Sequence, residues 1–410
     1  MTVTAEALWI SIFASCALGG AASLALYPAF LRVRSWLRGA APAVPAPKDD
    51  ERSARERHLP RVTVLVAARN AEALLPTKIE NTHGQDYAGP LECVWVSDGS
   101  TDGTVAILEN DLPAGDRHVI VAEHRGKAAA LERGAELASG EIIVFTDVDA
   151  VLSPDAISRL VTHFDDPTIG GVCGQRRIAR AGAGNGPRTT GAQARYIAFD
   201  SWIKEEESRV GSITSNDGKL YAIRRALFRG VAEGVTDDAY VAHTVVSQGA
   251  RFVFEPQAIA TIPTPARSSG HEVRRRRRVV SRSLYGLHLR REVLNPARTG
   301  TFALGLFTNK VLRRAIPFFA VGTLTSSAVL AAITTGSLAR LALAILALHV
   351  SLLATAALFP VVGTVLPRPL RKISSTAYYF CLGNWGTALG VLDFLRGRRV
   401  IQWDPVKSGA

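Results

Sequence analysis

The chain has 410 residues, with 48 Lys and Arg against 36 Asp and Glu and a formal net charge of +12. This length exceeds one small domain, and a charged fraction of 20% beside 47% hydrophobic residues falls below the ~25% charge of soluble domains, which excludes a disordered or collagen-like chain and disfavours a purely soluble one. Cys16, Cys93, Cys173 and Cys381 are far apart; without a C-x-x-C pair they give neither a zinc cluster nor a disulfide framework and read as small apolar fillers in a reducing compartment.

From Ala7 to Leu31 no residue is charged, and about 25 residues at ~1.5 Å each give ~37 Å of helix, enough to cross a ~30 Å hydrocarbon layer. Glu6 precedes this stretch and Arg32, Arg34 and Arg38 follow it, the reverse of a cleavable signal peptide. Residues 1–38 therefore read as an uncleaved transmembrane helix whose following side is cytoplasmic. Residues 39–60 (ending APAVPAPKDDERSARERHLP) are polar and lack an apolar period, as an extended or mobile linker does.

A globular domain is expected over 61–290. Short apolar runs at Arg61–Ala67 (RVTVLVA), Leu91–Val96 (LECVWV), Val119–Ala122 and Glu141–Phe145 (EIIVF) alternate with helical patterns, one reaching Gln85 and one from about Lys127 to Ala138. Such alternation predicts a parallel sheet covered on both faces, with ligands at the carboxyl ends of its strands. The residues standing there are Arg69 and Asn70, Asp98, and Asp147 with Asp149.

Asp98, in VSDGSTDGT, either accepts an imide N–H from a nucleotide base or caps the helix starting near Gly103; Asp102 is the better placed of the two for capping. Asp147 and Asp149, two residues apart on an extended chain, point the same way and can share one hard cation and present it to phosphate oxygens. The competing reading is a solvated acidic turn ahead of a helix at Pro154. Lys127 opens a helix whose positive end favours a diphosphate, or it is an ordinary first-turn lysine. In Thr236-Asp237-Asp238 a carboxylate serves either as general base toward an acceptor hydroxyl or as a helix cap.

Arg275, Arg278 and Arg282 share one helical face within the basic run that starts at Arg274 and continues to Arg290 and Arg291. That face suits a leaving diphosphate, and the remaining arginines suit anionic lipid headgroups. Nucleic acid is disfavoured as a partner, because the run precedes apolar spans and carries no interleaved aromatics. Gly182–Gly191 (GAGNGPRTTG) reads as a flexible loop or as a lid that orders over a bound donor. His243 and His271 lack metal-ligand spacing and read as packing or surface residues.

Three more apolar stretches, Ala315–Thr335, Leu341–Leu366 and Ile373–Leu395, define a membrane region over 315–395, preceded by an interfacial segment at 291–314 and followed by a tail at 396–410. If all three cross, Arg396, Arg398 and Arg399 emerge on the outer side against the positive-inside rule. The last stretch, with Asn384 and Asp393, is then re-entrant or interfacial, or the tail is an exception.

Taken in order, the DGST turn at Asp98, GKAAAL, the strand-terminal D-x-D, T-D-D and the R-x-x-R run resemble the membrane-bound inverting family-2 glycosyltransferases. The resemblance covers roughly residues 60–290, and the tail FLRGRRVIQW looks like the ends of bacterial polysaccharide synthases of that group. It implies an α/β GT-A fold, a Rossmann-like mixed sheet flanked by transmembrane helices, in a multi-pass protein of the inner membrane with a cytoplasmic catalytic domain. On this resemblance Ala67, Arg69 and Asp98 meet the nucleotide, Lys127 its diphosphate, Asp147 the nucleotide and, with Asp149, Mg2+ or Mn2+, and Asp238 is the general base. Arg275 and Arg278 match the Q/R-x-x-R-W motif that contacts diphosphate and acceptor; Gly218 and Tyr221 of GKLYAIRR lie, with Asp237, beside the acceptor.

The chain departs from the family pattern at Ser97, where many relatives have a second Asp, and at Val279, where the motif has Trp. The missing Trp and only four candidate spans weigh against a polymer-carrying channel. The resemblance thus implies a metal-dependent hexosyl- or N-acetylhexosaminyltransferase that takes a UDP-sugar, with GDP-mannose as the other donor, to a lipid-linked or cell-surface glycan acceptor. Two readings stand beside it: a processive exopolysaccharide synthase of the cellulose, hyaluronan or poly-N-acetylglucosamine kind, and a catalytically silent scaffold subunit of an export machine.

Overall fold

The computed structural model describes residues 2–38, 59–179, 190–263, 269–363 and 365–398. Most of the expected linker, residues 182–189 of the glycine-rich loop and the tail from 399 onward lie outside the described residues.

Helices α1 (Thr2–Ala21) and α2 (Tyr27–Arg38) run on from one another through a π turn at Ala22–Leu26. An eight-stranded sheet follows: β1 (Val62–Ala68), β2 (Leu91–Asp98), β3 (Arg117–Val121), β4 (Ile142–Asp147), β5 (Val151–Leu152), β6 (Ile169–Ile178), β7 (Leu220–Arg224) and β8 (Arg251–Ile262). Its helices are α3 (Leu75–His83), α4 (Thr104–Asn110), α5 (Lys127–Leu137), α6 (Ala156–Thr162), α7 (Thr190–Val210) and α8 (Asp237–Ser247). Then come α9 (Ser269–Leu289), α10 (Pro296–Thr299), α11 (Thr301–Leu306), α12 (Ile316–Ile333), α13 (Gly336–Val362) and α14 (Arg368–Leu395).

β1 is buried at every position, which explains its unbroken apolar run. Its side chains alternate between two cores: Val62, Val64 and Val66 pack with Trp95, Leu75 and Leu160, and Leu65 and Ala67 with Leu131, Phe145 and Tyr221. The spatial order is β3-β2-β1-β4-β7-β6-β8-β5. The first four strands are parallel, as the alternation predicts, but β7 lies antiparallel to β4 and to β6, so the sheet is mixed rather than parallel throughout. This reversal positions the site, because it sets the residues just before β7 beside those ending β4, with Leu220 opposite Thr146.

Three helices among the described residues are long and apolar enough to cross a membrane: Ala5–Leu37, Thr301–Ile333 and Gly336–Val362. Leu341, Leu348, Leu353 and Val361 point outward from the last of these, an apolar face larger than water tolerates. The second begins at Thr301, earlier than the expected 315, because the segment that carries Lys310, Arg313 and Arg314 is already helical. It turns polar groups to the sheet domain, with Asn309 Nδ2 donating to Thr214 Oγ1 at 2.8 Å and Arg314 Nη2 to Ser283 Oγ at 2.6 Å.

α14 is one continuous helix of 28 residues packed along α9. Gly383, Gly386 and Gly390 form its contact face; a Cβ on Gly390 would fall 2.6 Å from the Arg277 carbonyl oxygen. Arg277 Nη2 donates to the buried Asp393 Oδ1 at 2.8 Å, and Arg276 sits 5.8 Å over the Tyr379 ring. These two arginines, expected to meet lipid headgroups, instead clamp α14, since a buried carboxylate requires a counter-charge. Gly390→Leu must push the helices apart against backbone and is expected to destabilise the protein by about 2 kcal/mol, read as a lower melting temperature in detergent; an unchanged melting temperature would deny the close α9–α14 contact.

Candidate active site

The site lies at the carboxyl ends of β1, β2 and β4. Lys127, first residue of α5, follows Gly126, whose φ of 93° is a backbone state that glycine adopts without strain. Its ammonium lies 2.8 Å from Asp147 Oδ1 and 2.8 Å from Asp237 Oδ2, joining the end of β4 to the start of α8. Lys219, just ahead of β7, places its Nζ 2.9 Å from Asp147 Oδ2 and 2.7 and 3.0 Å from the two oxygens of Asp149. Asp238 Oδ2 accepts the Gly218 N–H at 3.1 Å and Oδ1 its neighbour Ala239 N–H at 2.7 Å. At position 218 a Cβ would come 3.5 Å from the Lys127 ammonium and 3.7 Å from the Asp238 carboxylate. Asp147, Asp149, Lys127, Asp237, Asp238 and Gly218 are thus brought together from four separate stretches of chain.

Burial opposes ionisation of Asp147, but Lys127 and Lys219 outweigh it and hold its carboxyl well below the usual range. Burial likewise opposes the charge on Lys127, and Asp147 and Asp237 outweigh it, raising its pKa. Asp238 goes the other way: burial first, then the charges of Asp237 and Asp217, push it up to about 6, with Lys127 pulling it down. The site therefore contains one carboxylate kept charged and one poised near neutrality, the separation expected of groups with different tasks.

Beneath the D-x-D turn lies Lys78 on α3, only 2% exposed. Its Nζ donates to Thr146 Oγ1 at 3.0 Å and to the Ala150 carbonyl at 2.6 Å, pinning both ends of the turn. Burial pulls its pKa down to about 7, against the opposite pull of Asp147 and Asp149. Lys219 stands at the variable position of GKLYAIRR, which gives it no role, and the hint for Lys78 is its helical position in line with the buried Leu75 and Thr82.

Other candidates are placed differently from expectation. Asp98 is buried and accepts the Arg125 and Gly126 N–H groups at 2.8 and 2.9 Å, with His124 Nδ1 at 2.8 Å. It holds the loop that delivers Lys127, while Asp102 accepts the Thr104 N–H at 3.1 Å and takes the capping role. Tyr221 is wholly buried, stacked on Phe145 with ring centroids 4.7 Å apart. Arg275 is bound to Glu272 one turn away, at 2.7 Å. Arg278 is half-buried on α9, whereas Arg282 donates to the Val235 carbonyl at 2.9 Å. Burial lowers the Arg282 pKa against the pull of Asp237 and Asp238, so its charge is felt by both acids.

Ala67 pairs with Asp147 across β1 and β4, and Arg69 follows at the end of β1. Asn70, in a left-handed conformation at φ 47°, accepts the Thr101 N–H at 2.8 Å and ties the loops after β1 and β2 together. His243 is buried, and burial with Lys310, Arg314 and Arg290 pulls its pKa down to about 3, so it is a neutral packing residue. His83, Cys93 and Asp116 lie close together elsewhere, but His83 and the Trp95 indole both point to the same oxygen of Asp116, at 3.0 and 2.7 Å.

The open α/β sheet gathers acids and lysines at its strand ends. Residues 63–231 match the model of glycosyl transferase family 2. It is 24% identical over 257 residues to an N-acetylglucosaminyltransferase of Neorhizobium galegae, covering 58% of this chain and 57% of that one. It is 31% identical over 202 residues to the beta-monoglucosyldiacylglycerol synthase of Nostoc sp., covering 45% and 42%. The chain thus spans about half the length of the curated relatives it matches. In fold it is similar to the mannosyltransferase PcManGT from Pyrobaculum calidifontis, solved with GDP-Man and Mn2+, with a TM-score of 0.65 and 24% identity over 96% of this chain and 99% of the other. The sheet domain has the GT-A fold.

Proposed function

We propose that the chain is a membrane-bound inverting glycosyltransferase that moves a hexose or N-acetylhexosamine from a nucleotide-sugar, most simply a UDP-sugar, to a lipid-linked or glycan acceptor. The observation that carries this reading is the Lys127 bridge between Asp147 and Asp237, which brings D-x-D, the α5 start and T-D-D into one charged cluster. The names of the relatives support the sugar class, and the glucosyldiacylglycerol synthase supports a lipid acceptor. The three apolar helices support a membrane location.

Asp147 and Asp149 offer hard oxygen donors on one side of a turn and already share one cation, the Lys219 ammonium, so the pair fits a divalent ion. Asp147 and Asp149 would hold Mg2+ or Mn2+, which when bound adds positive charge at the diphosphate oxygens. Asp238 takes the proton from the acceptor hydroxyl as that oxygen attacks the anomeric carbon. Attack from the face opposite the leaving group inverts the configuration, so an α-linked donor gives a β-linked product. Lys127, at the positive end of α5, and Arg282 place charge where the nucleoside diphosphate departs.

The test is nucleoside diphosphate release by the full chain in detergent, with a panel of UDP- and GDP-sugars, Mn2+ and extracted membrane lipids. Release from one donor class, with single sugars added to lipid, is expected. Long polymer would move the reading to a processive synthase, and no release from any donor would move it to a silent scaffold.

A further inference from the structure

The lysine that closes the D-x-D pair is set by the sheet itself. Because β7 runs antiparallel to β4 with Leu220 opposite Thr146, the Lys219 backbone sits next to Asp147, and its carbonyl accepts the Thr146 hydroxyl at 2.9 Å. Thr146 in turn receives Lys78 from below. From this fixed base the Lys219 ammonium reaches both carboxylates, 2.9 Å from Asp147 and 2.7 Å from Asp149. The second oxygen of Asp147 is held by Lys127 at 2.8 Å. Asp147, Asp149 and Asp237 thus share two ammonium groups, and a free divalent ion entering at the D-x-D pair encounters both at short range.

We infer that Lys219 is a tethered counter-cation of the Asp147–Asp149 pair that keeps a free divalent ion out until a nucleotide diphosphate binds. This rests on the reading of that pair as the metal site. The diphosphate supplies the negative charge that draws the ion in and gives the displaced ammonium a new partner. Metal and nucleotide then bind interdependently, each tightening the other by the same factor. Lys219 is a positioning residue in this scheme; no bond of the transfer reaction passes through it.

The experiment measures Mn2+ uptake from the loss of the free-ion electron paramagnetic resonance signal, on the full chain in detergent, with and without UDP or GDP. Wild type is expected to take up Mn2+ at least tenfold more tightly once its nucleotide is present. Lys219→Met is expected to take it up without nucleotide at least tenfold more tightly than wild type. Lys219→Arg, which keeps the cation, should resemble wild type. Equal nucleotide-free uptake by wild type and Lys219→Met overturns the inference and leaves the metal site standing. Tight nucleotide-free uptake by wild type overturns it without recourse to any variant. No uptake by either protein under any condition overturns both the inference and the metal reading, whereas a failed transfer assay with nucleotide-linked uptake intact would sink only the reaction.

Discussion

Asp238→Asn is expected to slow transfer by about 10²–10⁴-fold, the range for loss of a general base, with little change in nucleotide binding. The amide is nearly isosteric, and its oxygen can still accept the Gly218 N–H that Asp238 Oδ2 now receives, so the loop before β7 stays in place. What is lost is the capacity to take a proton. With the wild-type carboxyl raised to about 6 by burial and by Asp237 and Asp217, the rate should climb with pH through about 6 and then level off. Asp237→Asn removes one of the charges that raise this pKa, so the acid limb should move to lower pH. A limb that stays put would take Asp238 out of the base role, as would an Asp238→Asn rate within tenfold of wild type. The same shift has a sign for stability. A carboxyl with a higher pKa folded than unfolded binds more protons when folded, so its ionisation costs stability as pH rises from about 4 through 6. Asp238→Asn removes that cost, on the order of 2 kcal/mol, and should melt no lower than wild type at pH 8. A slow but well-folded variant would separate chemistry from collapse.

The parts of this site visible in the sequence were those fixed by local chemistry. Strands β1, β2 and β4 could be read because burial on both faces leaves an unbroken apolar run, and Asp147, Asp149 and Asp238 stand out as acids next to buried elements. The direction of β7 had no such mark: LYAIR is equally apolar run either way, and only the long-range pairing with β4 decides it. Lys219 was therefore invisible as a D-x-D partner, although the sequence shows it within GKLYAIRR. Lys78 reads as a surface lysine until α3 is docked and its ammonium meets Thr146. The position of Asp98 after β2 is legible, but its partners are not, because they come from the separate loop at residues 124–126. The arginine run was read by helical face alone, and the pairing of Arg277 with Asp393 depends on a contact across 116 residues of sequence.

Lys127→Met tests whether the cluster is a built charge network or an ordinary helix start. If Lys127 were an exposed first-turn lysine, its loss would change stability by less than about 0.5 kcal/mol. In the structure its side chain is only 14% exposed and its ammonium lies 2.8 Å from both Asp147 and Asp237. Methionine fills similar space but leaves two carboxylates facing each other without their shared cation, and removal of one partner from a buried pair costs about 3 kcal/mol or more. The penalty must depend on pH. Lys127 helps hold the Asp147 pKa below its ordinary value, a stabilisation present above the unfolded pKa and lost as pH falls through the folded one. The variant should therefore melt well below wild type at pH 8, and the gap should narrow only as pH falls below about 4, where protonation relieves the repulsion that methionine creates. Lys127→Arg keeps a charge but not the compact tetrahedral ammonium, so it should recover stability more fully than transfer rate. A pH-independent gap would reduce Lys127 to packing, and with it the argument that β4, α5 and α8 are held together by charge at the place where the diphosphate must leave.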